Sequence, residues 1–96
     1  DGSDIVYHLP VSIFDAVLGR EVEVPTLEGK VSLKIPPGTD SGTRLRLKEK
    51  GLPDRKSGKR GDMFVVVKLI VPKNLSQEER NAFEKLRKML LDNGKI

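Results

Sequence analysis

His8, Ser12 and Asp15 are the residue types of a nucleophilic hydrolase, and they lie close together in the sequence. Nucleophilic catalysis needs a hydroxyl within hydrogen-bond reach of a base that a third group orients. Ser12, however, directly precedes an apolar helical pattern, where a serine commonly caps the helix. His8 falls on the outward side of an alternating strand, where a lone histidine is seldom catalytic. We therefore predict no catalytic residue and a protein that is not an enzyme.

A metal or cofactor site is not predicted either. The chain has no cysteine and a single histidine, and its carboxylates do not cluster with that histidine at the spacing of metal ligands. The sequence thus predicts no metal ligand and no cofactor.

The segment from Lys50 to Arg60 is the most basic irregular part of the chain, with Asp54 as its one acidic residue. Clustered cations suit a phosphate backbone. With Arg44 and Arg46, this loop could therefore bind nucleic acid or a ribosome surface, which is the alternative function. The loop lacks an aromatic residue to stack on bases, so we prefer the interpretation of a solvated, mobile loop.

Length and composition indicate one small domain. Ninety-six residues with a net charge of +4 and 36% hydrophobic content support one core, built mainly of Val, Leu and Ile. No signal peptide or membrane-spanning run is visible, and the lack of cysteine fits a reducing compartment. We expect a cytoplasmic protein with no membrane partner. Because the chain begins at Asp1 without Met, we expect a domain excised from a longer protein.

The stretch from Gly61 to Pro72 organises the predicted fold. It is rich in β-branched residues, which favour strands, and only Lys68 is charged between Met63 and Val71. Apolar residues at both odd and even positions predict a strand covered on both faces. We interpret it as the central strand of a packed sheet, and residues 1–4 as a linker or frayed end.

The remaining pattern predicts a mainly β, α+β fold. Apolar and polar residues alternate over residues 5–11, 20–27, 31–35 and 44–48, as in half-buried strands, and Glu28-Gly29 suits a hairpin turn. Between the first two strands, a short helix starts at Ser12 and ends at Gly19. We expect its apolar stripe to dock on the sheet; the stripe consists of Ile13, Phe14, Val17 and Leu18.

A longer helix follows a capping box from Ser76 to Glu79. Phe83, Leu86 and Leu90 lie on one face of this helix, with Ala82 and Met89 beside them. This apolar stripe fits two arrangements, packing on its own domain or packing on another subunit.

Seven short motifs run in order through nearly the whole chain: from Leu9 to Gly19, Val24 to Val31, Ile35 to Gly38, Gly42 to Arg46, Lys50 to Pro53, Gly61 to Val65 and Pro72 to Leu86. With them the chain resembles the second C-terminal β-domain of the DnaJ family, the forty-kilodalton heat-shock co-chaperones. One departure is Glu49, which stands where we expect glycine before Lys50-Gly51.

The resemblance implies a two-sheet, β-sandwich-like domain over residues 1–72 and a homodimerisation helix within residues 73–96. The implied dimer interface consists of Phe83, Leu86, Met89 and Leu90. The resemblance also implies that the parent protein presents unfolded or non-native polypeptides to a DnaK-type ATPase, through parts that this chain lacks. Neither the J domain nor a cysteine-rich zinc region is in the sequence.

A client-binding edge follows from the same resemblance. In the family, the preceding, repeat-related β-domain holds a client groove beside its second strand. Transferred to this repeat, the groove follows the edge from Arg20 to Val24, with Leu9, Val22 and Val24 as pocket walls. A client would add there as an extended strand. The alternative is that all three side chains are ordinary core.

Overall fold

The computed structural model describes residues 2–96, and Asp1 lies outside the described residues. The chain forms seven elements: β1 (Ile5–Ser12), α1 (Ile13–Leu18), β2 (Arg20–Thr26), β3 (Gly29–Ile35), β4 (Arg44–Leu47), β5 (Met63–Ile70) and α2 (Gln77–Asp92). The predicted mainly β, α+β class is confirmed, with the short helix after the first strand and the longer helix at the C-terminal end.

The strands form two sheets, and β5 is the central strand of the larger one, as predicted. β1 and β4 flank β5 in this three-stranded sheet. β1 runs parallel to β5, with Ile5 opposite Met63 and Ser12 opposite Ile70, whereas β4 runs antiparallel. β2 and β3 form the second sheet, an antiparallel hairpin in which Gly29 takes a positive φ of 111°.

The core lies between the inner faces of the two sheets. Met63, Val65 and Val67 alternate along β5 and are buried, because successive strand residues point to opposite faces. Val24 of β2 and Ile35 of β3 have no exposed surface and belong to the same buried cluster. This two-sheet packing is the arrangement that the resemblance implied.

The outer face of β5 is only partly covered, so the prediction that both its faces are covered is wrong. Phe64 and Val66 are half-buried there, and Ile70 is exposed. The cover comes from an arginine rather than a packed layer, because the Arg44 guanidinium carbon lies 4.6 Å from the centre of the Phe64 ring. Long cationic side chains can shield apolar surface in this way.

The short helix α1 packs through a different face from the predicted one. Val17 and Leu18 remain 63% and 73% exposed, whereas Ala16 is buried. The small Ala16 side chain lets the helix backbone approach the core. The next loop fixes this orientation, since the Gly38 and Thr39 amides donate to the carbonyls of Val17 and Ala16 at 3.1 and 2.9 Å. The expectation that the apolar stripe of α1 docks on the sheet is therefore wrong.

The N-terminal residues that the structure describes are fixed rather than frayed, which corrects a third prediction. The carbonyl of Ser3 accepts a hydrogen bond from the Leu52 amide at 2.7 Å. Asp4 Oδ1 accepts one from the Asp62 amide, also at 2.7 Å. Gly61 allows this close approach, because a Cβ there would lie 2.5 Å from the Ser3 carbonyl carbon. For Asp1, the predicted frayed end falls outside the described residues.

The helix α2 stands apart from the β layers. It begins with the predicted capping box, in which Ser76 Oγ accepts from the Glu79 amide at 3.1 Å and the Ser76 amide donates to Glu79 Oε1 at 2.8 Å. None of its residues is buried. The described chain is accordingly elongated, with a radius of gyration of 17.7 Å against about 12.5 Å for a compact domain of this length.

Candidate functional site

The apolar face of α2 is open to solvent. Leu86 is 43% and Met89 52% exposed, while Phe83 and Leu90 are half-buried. Met89 directly precedes Leu90 and therefore points about 100° away from it around the helix. The four residues of the predicted dimer interface thus form one exposed band, with Met89 at its margin.

The exposed stripe of α1 faces this band. The ring centroids of Phe14 and Phe83 are 5.8 Å apart and their planes are tilted by 57°, a favourable geometry for an aromatic pair. Beside this contact the helices enclose an open space of about 510 Å³, here called the interhelical cleft. Its lining residues are Ile13, Phe14, Val17, Leu18, Phe83, Leu86, Arg87, Leu90 and Ile96. The cleft is apolar apart from Arg87, and Met89 does not line it.

Sequence reasoning missed the contribution of α1 to this surface. The apolar stripe of this two-turn helix predicts that it docks on the core through its larger residues. Ala16, the one small residue on the opposite side of the helix, is the sequence signal that indicates docking through that side. A helix that docks through alanine brings its backbone close to the core and leaves its larger side chains outside.

The residues predicted to line a client groove lie in or against the core. Leu9 and Val24 are buried, and Val22 is half-buried against the same cluster. Among residues 2–96, β2 pairs with β3 only, so its other edge carries no neighbouring strand. Such an edge offers unpaired backbone groups. The client-binding assignment of these three residues stays a prediction.

His8, Ser12 and Asp15 do not form a catalytic arrangement. Ser12 Oγ accepts a hydrogen bond from the Phe14 amide at 3.1 Å and caps α1. Asp15 forms an ion pair with Arg20 at 3.2 Å. His8 is exposed on the outward side of β1, four residues and about 13 Å along the strand from Ser12.

Three carboxylates with lowered pKa values have structural partners, and for Asp54 these are the Lys56 amide and the Ser57 hydroxyl. The Glu49 amide, and next the Arg46 guanidinium at 2.7 Å, hold the pKa of Asp62 below its usual value. Hydrogen bonds from Ser76 in the capping box lower the pKa of Glu79. A lowered pKa keeps a carboxylate ionised at neutral pH, which suits an electrostatic tie and not a general acid.

The basic loop, residues 50–60, is folded back on itself. Pro53 and Arg60 form an isolated antiparallel bridge. Lys50 and Arg60 also reach Glu28 at the tip of the β2–β3 hairpin, at 3.5 and 3.8 Å. Two of the cations that suggested a phosphate-binding loop are therefore engaged with a carboxylate of the same chain.

The described residues contain no group of three or more His, Cys, Asp and Glu side chains placed to hold a metal ion. Among residues 2–96, no helix has the length and apolar character needed to span a membrane.

Comparison with known proteins identifies the family. The sequence model described as "DnaJ C terminal domain" matches residues 1–72. Chaperone protein DnaJ of Enterococcus faecalis is 52% identical over 88 residues, which cover 92% of this chain and 23% of that protein. Chaperone protein DnaJ of Acholeplasma laidlawii is 48% identical over 88 residues, covering 92% and 24%. The protein of that name from Erysipelothrix rhusiopathiae is 49% identical over 87 residues, covering 91% and 24%.

The chain thus spans about a quarter of the length of the curated relatives that it matches. The family match extends over most of the chain and includes both sheets and α1. The two-sheet fold and the match together show that the chain belongs to the DnaJ C-terminal domain family, a family of co-chaperones.

Proposed function

We propose that this chain is a homodimerisation element of a DnaJ co-chaperone and that α2 forms the dimer contact. The observation that carries the proposal is a 16-residue helix without a single buried residue. Helices of this length are marginal in water and depend on packing of an apolar face. A second copy of the chain would supply that packing.

The exposed stripe of α1 extends the proposed dimer surface. α2 touches α1 through the Phe14–Phe83 pair, while the interhelical cleft beside the pair stays open and apolar. Exposed apolar patches of this kind mark association surfaces on soluble domains. Residues Phe83, Leu86, Met89 and Leu90 are the proposed contacts on α2.

Sedimentation of the 96-residue chain tests this proposal. Leu86→Asp places a charge in the apolar face, so we expect a dimer to dissociate at least about 100-fold more readily, or about 2.7 kcal/mol. The matched control is Asn81→Asp, which makes the same change of net charge at an exposed position on the opposite side of the helix. The two variants should share the far-ultraviolet spectrum of the wild type. A wild type that stays monomeric at high micromolar concentration, or equal effects of both substitutions, would contradict the proposal.

A client-binding role is proposed for the free edge of β2, from Arg20 to Val24. An unfolded polypeptide would add there as a strand, with main-chain hydrogen bonds giving affinity. Because Leu9 and Val24 are buried, the client would meet the backbone edge and the half-buried Val22 first. Dimerisation would then place two such edges on one scaffold, which raises the effective concentration of the second site.

Binding of a fluorescently labelled, permanently unfolded protein tests the edge. Val22→Asp should weaken binding several-fold, because the acid replaces the apolar side chain nearest the edge. Leu27→Asp, the same kind of change at the exposed tip of the hairpin, should leave binding unchanged. Equal binding by wild type and the Val22 variant would remove the edge from consideration.

Delivery of clients to a DnaK-type ATPase, as a non-catalytic partner in the cytoplasm, completes the proposed function. Contact with the ATPase would be made by segments of the DnaJ relatives outside the quarter that this chain matches. Mixing the 96-residue chain with a DnaK-type ATPase should therefore leave the rate of ATP hydrolysis unchanged. A several-fold stimulation by the chain alone would show that this division of roles is wrong.

A further inference from the structure

The outward side of the three-stranded sheet is a second surface whose chemistry the proposed function does not use. Its side chains form three rows across β1, β5 and β4, which we call the outer sheet face: Val6, Phe64 and Arg46; His8, Val66 and Arg44; Pro10 and Lys68. Strand alternation directs all of them away from the core.

The middle of the outer sheet face is an apolar platform. Val6 is 53% exposed, and Phe64 and Val66 are half-buried. The guanidinium group of Arg44 lies over the Phe64 ring at 4.6 Å. This contact holds the cation of Arg44 in a fixed place on the platform. Binding a ligand would therefore immobilise the Arg44 side chain at a lower cost in conformational entropy.

The charge on the outer sheet face is unbalanced. Arg46 is neutralised by Asp62 at 2.7 Å, at the end of the sheet where β5 begins. Arg44 and Lys68 form no ion pair with any carboxylate of residues 2–96. The rows that hold them contain no acidic residue. The surface therefore presents two separate cations on either side of apolar side chains.

We propose that the outer sheet face binds an acidic polypeptide segment that carries aliphatic or aromatic side chains. Its carboxylates would meet Arg44 and Lys68, and its apolar side chains would cover Val6 and Val66. The face is about 10 Å wide, and its three rows span about 14 Å along the strands, which accommodates roughly five extended residues.

Nucleic acid fits this surface less well than an acidic peptide. The one aromatic ring, Phe64, is already covered by Arg44, so its face is not open to a stacked base. Binding of nucleic acid also draws most of its affinity from several phosphate contacts, and the face offers two unpaired cations. The proposed site lies apart from the interhelical cleft and from the free edge of β2, and it does not depend on dimerisation.

Titration of the isotope-labelled chain with a synthetic peptide, acetyl-Glu-Leu-Asp-Phe-Glu-Leu-Asp-amide, tests the proposal by nuclear magnetic resonance. Saturable binding below about 1 mM is expected, with the largest amide shifts at Val6, Val66 and Lys68. A peptide in which every acid is replaced by its amide should bind at least about tenfold more weakly. Raising the salt concentration from 50 to 300 mM should weaken the acidic peptide selectively, because exposed charges are screened.

Matched variants separate a specific site from net charge. Arg44→Gln combined with Lys68→Gln should weaken binding about tenfold, or about 1.4 kcal/mol. Lys56→Gln combined with Lys59→Gln removes the same charge from the basic loop and should change affinity less than about twofold. Lys68→Gln alone, at an exposed position, provides a test should the double variant fail to fold.

Three results would overturn the proposal. The first is no saturable binding of the acidic peptide to the wild type. The second is equal weakening by the two double variants, or equal affinity for the amide peptide. The third is a single-stranded oligonucleotide that binds the same residues more tightly than the peptide.

Discussion

Gly61→Ala tests whether the junction between the N-terminal residues and β5 holds the domain together. A Cβ at Gly61 would lie 2.5 Å from the Ser3 carbonyl carbon, whereas ordinary contacts begin at 3.4 Å. The two segments must therefore separate by about 1 Å. That shift lengthens the 2.7 Å hydrogen bond from the Leu52 amide to the Ser3 carbonyl beyond useful range.

The expected cost combines two effects of similar size. Overpacking against an unyielding backbone costs about 1–3 kcal/mol, and the lost hydrogen bond adds about 1 kcal/mol. We expect Gly61→Ala to lower the free energy of unfolding by about 2–4 kcal/mol. For a domain of this size, this corresponds to a drop in melting temperature of roughly 8–30 °C.

Urea and thermal unfolding at fixed protein concentration measure this effect, with hydrogen exchange of the Leu52 amide as a local readout. Gly2→Ala is the matched control, because no atom lies within 4 Å of the added methyl group. Gly51→Ala meets the same Ser3 carbonyl, so the double variant should cost less than the sum of the two single variants. A Gly61→Ala protein within about 0.5 kcal/mol of the wild type would refute the reasoning.

Three further predictions follow from backbone geometry, a carboxylate and a helix cap. Glu49 has a positive φ of 61°, so Glu49→Gly should stabilise the domain by up to about 1 kcal/mol in urea unfolding, whereas Glu49→Ala should not. Asp62 has a lowered pKa in the folded protein. Its ionised carboxylate therefore stabilises the fold at any pH above the pKa of the unfolded state, near 3.9, and this stabilisation is lost as pH falls through the lower pKa of the folded state. Asp62→Asn should therefore flatten the stability profile on the acid side, and an unchanged profile would contradict the assigned cause. Ser76→Ala removes the Oγ acceptor of the capping box and should reduce the helical circular dichroism of α2, at a cost of about 1 kcal/mol.

The features that could be predicted from sequence are those set by local chemistry. The capping box from Ser76 to Glu79 contains both of its partners within four residues. The sequence pattern predicts Gly29 as a turn residue and Gly19 as a helix-end residue, and both have positive φ. The position of β5 at the centre of a sheet was also predictable, because its β-branched apolar run needs neighbours on both edges.

The features that were missed depend on contacts between distant parts of the chain. The parallel pairing of β1 with β5 joins residues 58 positions apart, such as Ile5 and Met63, and alternation is the same for parallel and antiparallel partners. The cover on the outer face of β5 comes from Arg44 on a third strand, which a pattern within β5 cannot reveal. Glu49, which stands where the family resemblance led us to expect glycine, has a positive φ, a conformation that glycine adopts most readily.

The orientation of α1 explains why an apolar stripe alone cannot separate a core helix from an association helix. Burying Val17 and Leu18 against the sheet would bury more apolar area than burying Ala16 does. It would also hold the helix backbone farther from the core, and the 2.9 Å hydrogen bond from the Thr39 amide to the Ala16 carbonyl could not form. The loop after β3 therefore selects the alanine side. The larger residues of α1 therefore lie beside α2, a helix that has no buried residue. The apolar stripes of both helices are thus exposed at the same place. A surface assembled in this way from two helices, neither of which buries it within its own domain, is available to a second copy of the chain.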